Sequence, residues 1–282
     1  MNNYKIHTKG LFVGQNQIYL PSCQSTNESL AKLILKSKQE RQNKNNSIFE
    51  GTLLWTNNQT QGKGQRGNSW ISKENQNLTF SILLNPTFLV PKEYFWITIA
   101  ISLGVRDALE EILKANHSQI ADKIKIKWTN DIFISNNNKD KKMGGILIEN
   151  QICSQAINQS IVGIGINVNQ IFDTKNKENR ATSLKELTNK EWNKESILAE
   201  LLFFIEKRYL QLRAGKKDNL KTDYLSYLFR YQEWHYYKDK IKNQKITGQI
   251  LGINPEGKLA LEIAGQDGKI KYFENKEIEF LY

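Results

Sequence analysis

The sequence predicts an α+β protein, in which strands occur in neighbouring groups around a few helices and do not alternate strictly with them. Two observations lead to this prediction. Apolar residues recur every three or four positions over residues 97–112, which is the period of an amphipathic helix. From residue 245 onward, short β-prone runs are separated by turn sequences at 254–257 and 266–268, which predicts a small β-barrel at the C-terminal end.

The remaining elements follow in order along the chain. A strand at 18–20 is expected to end at Pro21-Ser22, and Ser25 with Glu28 predicts a capping box at the start of a helix. The segment at 38–47 reads as a polar loop, and the segment at 57–76 is rich in Gly, Asn and Gln with almost no apolar residue. Further strands are predicted at 52–56, 78–84, 124–128, 131–134, 145–149 and 160–167, helices at 194–213 and 217–231, and C-terminal strands at 245–253, 258–263, 269–273 and 277–281.

The chain of 282 residues is expected to form two domains, a large α+β domain at 1–232 and a small β-domain at 233–282. Only two cysteines, Cys23 and Cys153, are present, which excludes a disulfide framework and indicates a reducing compartment. The longest apolar stretch, at 94–105, is too short to cross a bilayer, and no secretory signal is recognisable. We therefore expect a cytoplasmic protein without membrane association.

The formal net charge of +11 makes nucleic acid a partner to consider. Lysine and asparagine are, however, spread along the whole chain, which favours a general composition bias over a binding patch. An anionic small molecule or an acidic protein fits the charge equally well. A metal site is not predicted, because His7, His117 and His235 are scattered and no C-x-x-C motif occurs.

The loop Gly62-Lys63-Gly64-Gln65-Arg66-Gly67 matches the pattern G-x-G-x-x-G. A dinucleotide site requires a helix directly after this pattern, whereas here a strand is predicted, so we reject that interpretation. Three glycines still allow backbone N–H groups to approach a ligand, and Lys63 and Arg66 add positive charge. The loop therefore predicts an anion site, and Trp70 is positioned to stack on a ring.

Three further clusters fall on successive predicted strands. They are Lys127-Trp128-Thr129-Asn130-Asp131, Lys142-Met143-Gly144-Gly145-Ile146-Leu147 and Gly163-Ile164-Gly165-Ile166-Asn167. Glycines inside a strand indicate that something approaches the backbone closely. Together with the glycine loop, these clusters predict one pocket for an elongated anionic ligand.

This ordered set of motifs, preceded by Ser25-Thr26-Asn27 and Gln59-Thr60, resembles that of the biotin–protein ligases, from about residue 18 to the C-terminus. The resemblance implies a catalytic domain related to class II aminoacyl-tRNA synthetases, with a mixed sheet, and a C-terminal SH3-like barrel. It also implies that biotin and ATP react to biotinyl-5′-AMP, with Mg²⁺ on the phosphates. Transfer to a lysine of the biotin carboxyl carrier domain of a carboxylase follows. The resemblance is compatible with either a monomer or a homodimer.

The resemblance also assigns roles to individual residues. Lys142 stabilises the developing charge, Asp131 orients or deprotonates the incoming lysine, and Arg66 holds the adenylate. Biotin is expected to contact Ser25, Thr26, Asn27, Gln59, Gly62, Lys63, Gly64, Gln65, Lys142, Gly144, Gly163 and Gly165. ATP is expected to contact Lys63, Arg66, Trp70, Asn130, Lys142 and Asn167.

The chain departs from the family pattern at Gln65, where a second basic residue is usual. Either Arg66 substitutes for it or the adenylate is held less tightly. We also expect no N-terminal winged-helix domain and no specific DNA binding, because the chain begins almost directly at the first catalytic strand. A lipoate–protein ligase of the same fold and a basic nucleic-acid-binding module are the alternatives that remain open.

Overall fold

The computed structural model describes residues 5–40, 48–135, 140–173, 180–266 and 268–282, except for the side chain of Arg66. Most of the loop predicted at 38–47 lies outside the described residues. Within them, strands occur in groups between a few helices. They form two main sheets, which share one apolar core. This confirms the predicted α+β class.

The larger sheet has seven strands in the order β1-β2-β5-β9-β8-β7-β6. Among the strands described, β1 pairs with β2 in parallel and the other neighbours pair antiparallel, so the sheet is mixed. The strands are β1 (Gln17–Cys23), β2 (Leu53–Gln59), β5 (Leu78–Leu84), β6 (Ile124–Lys127), β7 (Asp131–Ile134), β8 (Lys141–Cys153) and β9 (Ala156–Ile166). A separate two-stranded ribbon, β3 (Gly62–Lys63) and β4 (Ser69–Trp70), carries the glycine loop at its tip.

Helices cover both faces of this sheet. On one face, α2 (Phe95–Ala121) and α4 (Lys194–Arg213) pack on the inward side chains Leu53, Trp55 and Phe80. On the other face, α1 (Thr26–Gln39) packs against the alternate residues Leu54 and Leu83. Two shorter α-helices, α3 (Leu184–Thr188) and α5 (Lys217–Ser226), are the others in the described part of the chain. Because successive strand residues face opposite sides, the central strands are buried on both faces.

The C-terminal strands form a five-stranded antiparallel sheet in the order β13-β12-β11-β10-β14. Its strands are β10 (Trp234–Asp239), β11 (Gln244–Ile253), β12 (Leu259–Ile263), β13 (Ile270–Phe273) and β14 (Ile278–Phe280). The inward residues Ile250, Leu261 and Phe273 belong to the same apolar core as the larger sheet. Domain limits at 1–232 and 233–282 stay a prediction.

Several local predictions were wrong. β1 does not end at Pro21 but continues to Cys23, which an edge strand tolerates because its outer N–H needs no partner. Ser25 precedes α1 but makes no side-chain capping bond, and Glu28 pairs with Lys63 instead of completing a capping box. The helix predicted at 217–231 ends at Ser226. No helix in the described part of the chain is long and apolar enough to cross a membrane.

Candidate active site

A cavity of about 630 Å³ opens where the β3–β4 ribbon, the larger sheet and the C-terminal sheet meet. Its wall brings together residues from all four motif clusters recognised in the sequence. Of the predicted site residues, Ser25, Thr26, Asn27, Gln59, Lys63, Gly64, Gln65, Trp70, Asn130, Asp131, Lys142, Gly163 and Gly165 line it. The four clusters therefore form one pocket, as expected.

Three predicted residues do not line this cavity. Gly62 and Gly144 lie behind the wall, and Gly145 takes the lining position in β8. Asn167 is buried, and its amide nitrogen donates to the carbonyl of Thr182 at 3.0 Å, which braces the backbone after β9. The side chain of Arg66 lies outside the described residues, so its predicted role stays a prediction.

One end of the cavity is a buried polar network at the start of α1. The Gln59 Oε1 atom accepts from the Thr26 backbone N–H at 2.9 Å, and the Asn27 amide donates to Glu149 at 2.7 Å. The Ser81 hydroxyl lies 2.7 Å from Thr26 Oγ1 and 2.6 Å from Asn27 Oδ1. These fixed donors and acceptors suit a neutral ligand head group that hydrogen-bonds in a defined orientation.

Glycines in β8 and β9 make room for side chains of the cavity. A Cβ atom at Gly165 would lie 2.4 Å from the Trp70 ring, and one at Gly163 would lie 2.3 Å from Asn27 Oδ1. A Cβ at Gly145 would come within 3.3 Å of Lys142 Nζ. The strand glycines therefore let Trp70, Asn27 and Lys142 approach the sheet, which is the close approach that the sequence predicted.

Lys142 and Asp131 form an ion pair in the wall of the cavity. Lys142 Nζ lies 2.8 Å from Asp131 Oδ1 and 5.7 Å from the centre of the Trp70 ring. Both side chains are partly exposed to the cavity, with 34% and 27% of their surface accessible. An ammonium group with an acidic neighbour is thus placed between the polar end of the cavity and its cationic end.

The glycine loop is held at two points, one at Lys63 and one at its tip. Lys63 forms an ion pair with Glu28 of α1, and this bond lowers the pKa of Glu28 and raises the pKa of Lys63. At the tip, Gln65 Oε1 accepts from Asn275 Nδ2, and Thr129 Oγ1 lies 3.2 Å away. Asn275 belongs to the turn between β13 and β14, so the tip touches the C-terminal sheet.

The opposite end of the cavity is cationic, and most of its residues were missed from the sequence. It is lined by Lys127, Arg180, Lys240, Lys276, Phe280 and Tyr282. Lys240, Lys276, Phe280 and Tyr282 come from the C-terminal sheet and the last residues of the chain, which carry no recognisable site motif. The only available signal was Lys127, which opens the cluster before Asp131 but was not assigned a role.

Lys127 is largely buried among aromatic rings. Its Nζ lies 4.9 Å from the ring centres of Phe133 and Phe280 and 5.4 Å from that of Tyr282. Burial lowers the pKa of Lys127 to about 8, although Asp131 opposes this shift. Nearby Lys142, Arg230 and Arg180 lower this pKa further, since like charges disfavour the protonated form.

The described residues contain no group of three or more His, Cys, Asp or Glu side chains that could hold a metal ion. The carboxylates that line the cavity are Asp131 and Glu279, and each is paired with a lysine, Lys142 and Lys240 respectively. The cavity is therefore built for an anionic ligand, and a divalent cation would have to be held mainly by that ligand.

Comparison with known proteins agrees with this geometry. The sequence pattern of the biotin/lipoate A/B protein ligase family matches residues 22–167, from the end of β1 to the end of β9. The bifunctional ligase/repressor BirA of Bacillus spizizenii is 30% identical over 269 residues, which cover 95% of this chain and 74% of that protein. The biotin–[acetyl-CoA-carboxylase] ligase of Mycobacterium tuberculosis is 23% identical over 221 residues, covering 77% and 76%.

Among solved structures, the biotin protein ligase of Aquifex aeolicus in complex with biotin and ATP is similar in both sequence and fold. The identity is 28% and the TM-score 0.69, and the similarity covers 95% of this chain and 99% of that chain. The similarity thus includes the C-terminal sheet as well as the region that the family pattern matches.

Proposed function

The chain belongs to the biotin/lipoate A/B protein ligase family, and on this premise we propose that it is an ATP-dependent biotin–protein ligase. It forms biotinyl-5′-AMP and transfers the biotinyl group to a lysine of a carrier domain. The observation that supports this function is the ion pair of Lys142 with Asp131, which lies between a polar and a cationic end of one cavity.

In the first step, a biotin carboxylate oxygen attacks the α-phosphorus of ATP, and pyrophosphate leaves. The two reactants are both anionic and repel each other in water, so the site must neutralise charge where they meet. Lys142 is placed to do this, because its ammonium donates to carboxylate and phosphate oxygens alike. Lys127, Arg180, Lys240 and Lys276 provide the positive surroundings for the phosphates.

In the second step, the amine of the acceptor lysine attacks the carbonyl carbon of the mixed anhydride, and AMP leaves with the bonding electrons. The attacking amine must be neutral and loses a proton as the new amide forms. Asp131 is the carboxylate next to Lys142 and accepts or directs that proton. A bound Mg²⁺ would be held mainly by the phosphates of ATP and would supply charge neutralisation there.

The polar end of the cavity favours biotin over lipoate. Thr26 and Asn27 are buried, Gln59 is half-buried, and the three residues form one hydrogen-bonded polar network with Ser81 and Glu149. The ureido ring of biotin can add hydrogen bonds to this network, whereas the dithiolane ring of lipoate has no N–H or C=O group with which to do so.

The test is to incubate the protein with ATP, Mg²⁺ and a biotin carboxyl carrier domain and to measure the carrier mass. We expect a biotin-dependent and ATP-dependent mass increase, no increase when the acceptor lysine is replaced by arginine, and none with lipoate or octanoate. Comparable transfer of lipoate would show that the head-group assignment is wrong. Absence of any acylation would show that the ligase function is wrong.

A further inference from the structure

The tip of the glycine loop contacts the C-terminal sheet through the side chains of Gln65 and Asn275. Gln65 Oε1 accepts a hydrogen bond from Asn275 Nδ2, although the two residues are 210 positions apart in the chain. Thr129 Oγ1 also lies within 3.2 Å of Gln65, but the same hydroxyl lies 2.7 Å from Asn130 Oδ1. The Thr129 hydroxyl has one proton and donates it over the shorter distance, to Asn130 Oδ1. Asn275 is therefore the main donor to Gln65 at the loop tip.

Asn275 is held in place by its own turn. The backbone N–H of Glu277 donates to the Glu274 carbonyl at 3.0 Å, and the Glu277 carboxylate accepts from the Glu274 N–H at 2.7 Å. Glu274 also forms an ion pair with Lys258 at 2.9 Å. These bonds fix the backbone on both sides of Asn275, so little conformational entropy is lost when its amide binds Gln65.

This contact lies in the partition between two cavities. A second cavity of about 470 Å³ lies beside the first, between the start of α2 and the C-terminal sheet. The residues that line both cavities are Gln65, Trp128, Thr129, Leu147 and Asn275. Gln65 is the member of this partition that belongs to the loop, so opening the loop tip would join the two cavities.

We propose that Asn275 is a positioning residue for the ligation reaction: it holds Gln65, and with it the loop, closed between the cavities and so retains the acyl-adenylate. The inference rests on the proposed function. It also explains how an uncharged residue serves at position 65. The tip is held by a neutral hydrogen bond to the C-terminal sheet, and the mixed anhydride is thereby kept from water.

The first test uses the protein without substrates, so it does not depend on ligase activity. Lys63 and Arg66 are trypsin sites within the loop. We expect cleavage at these sites to be about fivefold faster in Asn275→Ala and in Asn275→Leu, because one neutral hydrogen bond is lost; leucine keeps the branched shape of asparagine without its donor. Gln266→Ala, which removes an exposed amide from the neighbouring turn of the same sheet, should behave like the wild type. Unchanged loop cleavage in both Asn275 variants would overturn the proposal.

The second test follows the intermediate. We expect Asn275→Ala to release biotinyl-5′-AMP about fivefold faster and to raise biotinylation of bystander albumin, while the initial rate of pyrophosphate release changes less than twofold. The double variant with Gln65→Ala should be no faster than either single variant, since both remove the same bond. A positioning role would be refuted if the two substitutions had additive effects on the release of biotinyl-5′-AMP. It would also be refuted if Asn275→Ala slowed initial pyrophosphate release about fivefold. If the wild type makes no adenylate while the trypsin result holds, the proposed function fails and the loop contact stands.

Discussion

At the scale of single residues, the chemistry depends on where one ammonium group is held. Lys142 was predicted from its position before a glycine pair, but its partner was visible only in the structure. Asp131 lies opposite Gly145 in the β7–β8 pairing, and the missing side chain at Gly145 leaves the space that Lys142 occupies. The strand register therefore places this acid–base pair.

Replacing Lys142 by alanine should abolish formation of the adenylate. Loss of one charge-stabilising donor in a closed site lowers the rate by about a hundredfold or more, or roughly 3 kcal/mol. The measurement is pyrophosphate release in the presence of biotin and ATP. Lys141→Ala is the matched control, because Lys141 precedes it in β8 and does not line the cavity. Near-normal release by the Lys142 variant would make this lysine a surface residue.

Lys127 predicts a specific dependence on pH. Its pKa of about 8 means that the ammonium loses its proton, and the cavity a positive charge, as the pH rises past 8. The value of kcat/KM for ATP reports the free enzyme, so it should fall with an inflection near pH 8. Lys127→Arg, which stays charged, should remove that inflection, and Lys127→Met should be low at every pH. A profile unchanged in the arginine variant would assign the inflection to another group.

The lowered pKa of Lys127 also makes the stability of the fold depend on pH, and stability should rise with pH where kcat/KM falls. Between about pH 8 and the ordinary lysine value, Lys127 is neutral in the folded chain and protonated in the unfolded chain. The unfolded state then binds more protons, so the stability contribution of this residue rises with pH across that window. Below pH 8 the full penalty of burying the charge is present, which is typical of a residue kept for its function.

At the scale of elements, the segment before β1 is fastened to α4 by one buried carboxylate. Glu206 is 4% exposed, and it accepts from the backbone N–H groups of Leu11, Phe12 and Val13 at 2.6, 2.8 and 2.7 Å. Three charge-assisted bonds to consecutive N–H groups fix the path of this segment over the helix.

Glu206→Gln should destabilise the protein by roughly 2 kcal/mol, because the charge is lost and an amide nitrogen faces N–H donors. The free energy of unfolding in urea measures this. The control is Glu200→Gln on the same helix, which removes a surface ion pair with Lys9 and should change stability by less than about 0.5 kcal/mol. Equal effects of the two changes would mean that the segment is not held by Glu206.

Most elements were predictable because their apolar period was clear, and the exceptions have physical reasons. The strands β5 and β7 and the helix α4 have the predicted limits. The strand β10 was missed because it inverts the usual pattern: it exposes Trp234 and Tyr236 and buries Asp239. Asp239 is tolerated inside because it pairs with Lys271 at 2.6 Å and accepts from two backbone N–H groups. Local sequence cannot reveal such a partner.

At the scale of the whole molecule, the sequence revealed one half of the site and not the other. The polar end of the cavity and the Lys142–Asp131 pair lie in motifs between residues 25 and 165, where glycines and polar residues stand out in apolar strands. The cationic end of the cavity depends on how the C-terminal sheet packs against the larger sheet. One such contact is the hydrogen bond from Trp128 Nε1 to the Gly257 carbonyl, at 2.9 Å. That packing has no signature in sequence spacing.

The position of the positive charges, and not the net charge of +11, should control nucleotide binding. Lys240 and Lys276 bring charge from the C-terminal sheet to the cavity. We expect the pair Lys240→Gln and Lys276→Asn to raise KM for ATP several-fold and to weaken its dependence on salt, with little change in KM for biotin. Asparagine is chosen at 276 because the backbone there has a φ of 74°, which asparagine tolerates.

The matched control removes the same two charges elsewhere on that sheet, with Lys242→Gln and Lys269→Gln, both exposed and outside the cavity wall. This control should leave KM for ATP within about twofold, because neither lysine lines the cavity and exposed charges are screened by salt. A similar rise in both double variants would show that the overall field of the protein attracts ATP. A rise in neither would place the triphosphate away from the C-terminal sheet, toward Lys127 and Arg180.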